Sequence, residues 1–98
     1  MGASTFFQKG QGQTLEEAFN AAVDYARYMH GHAGYSGTLA EKHDVVLVSD
    51  TPHTVGEAQA LADSLIEQRD PRIDDKWGPA GAIRIDETTW LFFGWASD

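Results

Sequence analysis

The residue types that could do chemistry are gathered in one stretch, HGHAGYSGTLAEK, running from His30 to Lys42. His30 and His32 form an H-x-H pair that can present two imidazoles to one metal ion on an extended backbone, with His43, Asp50 or His53 as a third ligand. Neither cysteine nor an H-E-x-x-H helix accompanies them, so no metal or other cofactor is expected, and His30, His32, His43 and His53 stand as candidate ligands only. The same stretch supports a second chemistry. Glycines 31, 34 and 37 can bring backbone N–H groups close to an anion, with the Ser36 and Thr38 hydroxyls and the Lys42 ammonium as further donors. No nucleotide-binding glycine pattern is present, and the loop follows a helix rather than a strand. A third reading is catalytic: His32 or His43 beside Asp44 or Asp50 makes a general base, with Ser36 as nucleophile. No nucleophile elbow supports it. The bland reading needs no ligand, since the glycines make a tight connection, Tyr35 plugs the edge of the core and His30 caps a helix.

The elements that must position this stretch are well signalled on both sides. Upstream, Thr5 to Lys9 reads as a strand stopped by Gly10 and Gly12, and Thr14 with Glu17 forms a capping box opening a helix. Leu15, Ala18, Phe19, Ala22, Ala26 and Met29 form its buried stripe, and Gly31 ends it. Downstream, Val45 to Val48 is an unbroken apolar run, which suits a central strand covered on both faces. Thr54 and Glu57 open a second helix with Val55, Ala58, Leu61, Ala62, Leu65 and Ile66 inward, and Pro71 closes it. A charged loop anchored by Trp77 leads to a hairpin, Ala82 to Asp86 and Thr89 to Ala96.

The chain is therefore expected to be a single α+β domain of order β-α-β-α-β-β. Its mixed four-stranded sheet would carry a right-handed crossover and both helices on one face. Two helices on one face would leave the other side of Val45–Val48 and Trp90–Trp95 apolar and open. A homodimer through the sheet face or the last strand's edge, or the Trp77 loop folded across, would close it.

Composition narrows the function classes. In 98 residues, 42% apolar and 22% charged, there is room for one globular core and no reason for disorder. A net charge of −8 opposes phosphate backbones and excludes direct nucleic-acid binding, leaving an acidic nucleic-acid mimic as an alternative use of that charge. The absence of cysteine and of any long apolar run suits a soluble cytoplasmic protein that does not enter a membrane.

The motif GHAGYSGTLAEK, together with DPRIDDKWGPAGAI and the closing WLFFGW, resembles a family of small uncharacterised bacteriophage-encoded proteins over nearly the whole chain. The resemblance implies a phage accessory protein in a bacterial cytoplasm and carries no catalytic residue. The expected function is a non-enzymatic binding module that engages a host protein or a small ligand through His30, His32, Tyr35, Ser36 and Lys42. The alternative is a small metal- or histidine-dependent hydrolase.

Overall fold

The computed structural model describes residues 2–31 and 34–98. The expected order holds: β1 (Ala3–Gln11), α1 (Leu15–His30), a 3₁₀ turn (Leu39–Glu41), β2 (Val45–Ser49), α2 (Val55–Glu67), β3 (Ala80–Asp86) and β4 (Thr89–Ser97). The molecule is α+β, with one mixed four-stranded sheet in the order β1-β4-β3-β2. β4 lies antiparallel between β1 and β3, and β3 is parallel to β2.

Both helix starts follow from their caps. The Thr14 hydroxyl accepts from the Glu17 N–H, and the Glu17 carboxylate reaches back to the Gln13 N–H. At α2 the box is complete, with Thr54 and Glu57 each satisfying the other's backbone donor. α1 ends where Gly31 takes a positive φ of 84° and its N–H returns to the Arg27 carbonyl.

The helices lie on opposite faces of the sheet, not on one. Along β4 the side chains alternate: Trp90, Phe92 and Ala96 pack with Ala18, Phe19, Ala22, Val23 and Ala26 of α1, whereas Leu91, Phe93 and Trp95 pack with Ala58, Ala62 and Leu65 of α2. Topology supplies the reason. The β1-α1-β2 crossover runs across the whole sheet in one direction and the β2-α2-β3 crossover steps back in the other. Two crossovers of the same right hand that travel in opposite directions must pass on opposite faces. The face expected to be open, and to be closed by a homodimer, is therefore filled by α2, and β4 has no free edge.

Two further expectations change. β2 is an edge strand rather than the central one; Leu47 is exposed and the register against β3 shifts between Leu47 and Ser49. β1 does not stop at Gly10 but runs to Gln11, still paired with Trp90 and Thr89 of β4; a Cβ at Gly10 would lie 2.7 Å from the Phe92 ring, 2.8 Å from the Ala18 carbonyl and 2.9 Å from the Ala22 methyl. Glycine there lets α1 rest directly on the strand. Among the described residues no helix is long and apolar enough to cross a membrane.

Candidate functional site: an aromatic pair on two braced loops

After Gly31 the chain turns back towards the sheet through two more positive-φ glycines, Gly34 and Gly37, with Tyr35 between them also at a positive φ, 56°. For a tyrosine this is a strained conformation, costing on the order of 1 kcal/mol, and it persists only where neighbours over-determine it. The neighbours are identifiable. The Gly37 N–H donates to the Ser97 carbonyl at 2.8 Å, tying the loop to the end of β4. Ser36 donates to the Glu41 carboxylate from its hydroxyl at 2.8 Å and from its N–H at 3.2 Å, and its hydroxyl also meets that of Thr38. Thr38 caps the 3₁₀ turn, whose Leu39 and Ala40 are buried against α1. Burial works against the Glu41 charge, but the Ser36 hydroxyl and N–H, the Tyr35 N–H and nearby Arg27 outweigh it and hold the carboxyl below its ordinary range.

Lys42 braces the other side. It is 2% exposed, and its ammonium donates to the carbonyls of Gly78 at 2.8 Å, Lys76 at 3.1 Å and Asp75 at 3.4 Å. Three donors meet three acceptors, so the group expected to greet an anion is already occupied by the segment before β3. Desolvation pushes its pKa down to about 8, with the Asp75 carboxylate opposing.

That segment is itself pinned. Ile73, 1% exposed, is its buried anchor, and Asp70 accepts from the N–H and the guanidinium of Arg72. Trp77, expected to be the anchor, is 63% exposed. Its ring meets Tyr35 edge-to-face, with centroids 6.3 Å apart and planes at 86°, and the Lys76 ammonium lies 5.2 Å from the indole. Tyr35 is 52% exposed, so it does not plug the core edge.

The candidate residues thus divide. Tyr35 and Ser36 lie together, Ser36 within the bracing and Tyr35 on the surface; Lys42 is beneath them, holding the second loop. His30 is exposed at the end of α1, and His32 falls outside the described residues. His43 and His53 precede and follow β2, and His53 is bonded to Ser49, its Nε2 3.0 Å from the hydroxyl. Among the described residues no three histidine, aspartate or glutamate side chains converge as metal ligands. Sequence reasoning missed Trp77 as the partner of Tyr35. The two are 42 positions apart, and the Lys42 hydrogen bonds tie their loops together.

Comparison brings no relative to this geometry. No family model, curated protein or solved structure matches the chain.

Proposed function

We infer that the protein is a binding module whose contact surface is the Tyr35–Trp77 pair and the glycine-rich loop around it. The observation that carries this reading is the pair itself: two large aromatic side chains, each more than half exposed, touching across two loops that are held from below. Tyrosine and tryptophan dominate the energetic centres of protein interfaces, and a surface ordered in advance loses little entropy on binding. The positive φ of Tyr35 fits the same reading, since backbone strain concentrates where a side chain must be presented. The occupant proposed is a protein, in keeping with the host partner implied by the phage resemblance.

Because both rings stand out from the core, Tyr35→Ala and Trp77→Ala are expected to change stability by less than about 0.5 kcal/mol each while abolishing capture of the partner. Affinity capture from bacterial lysate with wild type and the double variant in parallel tests this; a band retained by both would refute it.

The Ser49–His53 hydrogen bond favours a second reading, a histidine-dependent hydrolase, because a hydroxyl 3.0 Å from an imidazole is the first requirement of an activated nucleophile. Labelling by a serine-directed fluorophosphonate that disappears in Ser49→Ala would support it, and absence of labelling would discard it.

A further inference from the structure

The two free edges of the sheet are built differently. β2 is five residues long, breaks register against β3 and is followed closely by Pro52, the devices by which sheets avoid pairing with other chains. β1 is nine residues long, about 30 Å at 3.3 Å per residue, and pairs β4 without a register shift from Ala3 to Gln11; it carries no proline and one charge, Lys9.

The β1 edge has exposed apolar side chains beside it on both faces. On one face α1 overhangs it. Phe19 meets Phe92 of β4 edge-to-face, while Ala22 lies over β1, where its carbonyl accepts from the Gln8 amide at 2.8 Å. Each three-residue step turns the helix back by about 60°, so the progression from Phe19 to Ala22 carries Tyr25 past the strand's outer side, with Met29 four residues on along the same flank. Tyr25 is 58% and Met29 55% exposed. On the other face α2 packs against β3 and β4, and Phe7 is left 37% exposed.

We propose that the protein assembles as a twofold dimer through antiparallel pairing of β1 with β1 of a second copy, giving a continuous eight-stranded sheet flanked by Tyr25 and Met29 above and Phe7 below. The choice of a second copy over a foreign strand follows from the layers. A lone strand would satisfy the backbone edge but leave the α1 flank and Phe7 open, whereas this chain brings a helix and an aromatic shelf beside its own edge. Pairing centred on Phe7 is self-complementary. It sets Phe7 against Phe7, Thr5 against Lys9, and Phe6 against Gln8, with no like charges opposed. The dimer is argued from the β1 edge and the binding reading from the Tyr35–Trp77 pair, so different observations carry the two proposals and each has its own test.

The chain contains no cysteine, which makes a single-cysteine test clean. Sedimentation of the full chain at micromolar concentration is expected to give twice the 10.7 kDa of one copy. Phe7→Cys, placed on the twofold axis, is expected to form a covalent dimer on mild oxidation, while Val55→Cys, on exposed α2, is not. Met29→Glu, with helix content unchanged by circular dichroism, is expected to weaken association at least about tenfold. A mass of one copy, equal cross-linking from positions 7 and 55, or a dimer unaffected by Met29→Glu would each overturn the proposal. A monomer whose β1 amides become protected only on adding host lysate would also overturn it, in favour of a foreign strand.

Discussion

Replacing Lys42 with methionine removes the ammonium that ties the segment before β3 to the glycine-rich loop while leaving most of the buried stem in place. Two of its hydrogen bonds, at 2.8 and 3.1 Å, are short enough to be worth about 1.5 kcal/mol or more each; the third, at 3.4 Å, adds little. Against them stands the cost of holding a charge that is 2% exposed. A pKa of about 8 in place of 10.5 corresponds to at most about 3 kcal/mol disfavouring the charged form. The terms nearly cancel at pH 7, so Lys42→Met is expected to lose only about 0–2 kcal/mol there. The pH dependence is the sharper signature. Between pH 8 and 10.5 the unfolded chain holds the Lys42 proton and the folded chain has released it. The wild type therefore gains stability from this group as pH rises, and the methionine variant gains none. Urea unfolding of both proteins from pH 7 to pH 10.5 should show the gap widening by up to about 3 kcal/mol, with the other lysines and the tyrosines common to both. Amide exchange at 75–78 should rise in the variant at every pH. A gap that stays constant across this range would refute the assignment of Lys42 as a buried charge bracing the loop.

Gly10→Ala should cost about 1–3 kcal/mol in thermal unfolding, because the new methyl meets the Ala18 carbonyl, the Ala22 methyl and the Phe92 ring inside 3 Å; a loss under about 0.5 kcal/mol would refute the close approach of α1 to β1. Asp70 is held down to about 2 chiefly by hydrogen bonds from the Arg72 guanidinium and N–H, so its contribution is present above pH 3.8 and lost as pH falls through 2. The stability difference between wild type and Arg72→Ala, read by chemical unfolding at pH 5, should accordingly shrink as pH falls from 3.8 to 2, and a difference as large at pH 2 as at pH 5 would contradict the pairing.

What could be read from the residues was local. Thr14 and Thr54 with their partner glutamates set both helix starts within the chain itself, Gly31 set one end, and the Asp86-to-Thr89 turn set the last hairpin. The apolar content of TWLFFGW on both faces of its strand was equally legible, and two-sided burial is what β4 has. What covers each face was not, because it depends on strand order. The parallel β2–β3 pair and the placement of β4 between β1 and β3 are contacts over tens of residues, and they alone decide that the crossovers run in opposite directions. The run Val45–Val48 misled for the same reason: four consecutive β-formers suit a buried central strand, but here the strand lies at the sheet edge, where the three valines are only partly buried and Leu47 is exposed. At the candidate site, Lys42 looked like a free donor because its acceptors are backbone carbonyls more than thirty residues away, which no side-chain pattern announces. Trp77 looked like an anchor because an isolated tryptophan in a charged loop usually is one, and Ile73 had taken that role.

The central claim is that the Tyr35–Trp77 pair is a contact surface for another protein, and site-directed photo-cross-linking tests it most directly. A photoreactive amino acid at position 77 is irradiated in bacterial lysate beside the same group at position 63, which is exposed on α2. The account predicts one discrete adduct from position 77, absent from position 63 and lost when Tyr35→Ala is added. Identical adducts from both positions, or an adduct from position 77 that survives Tyr35→Ala undiminished, would contradict it.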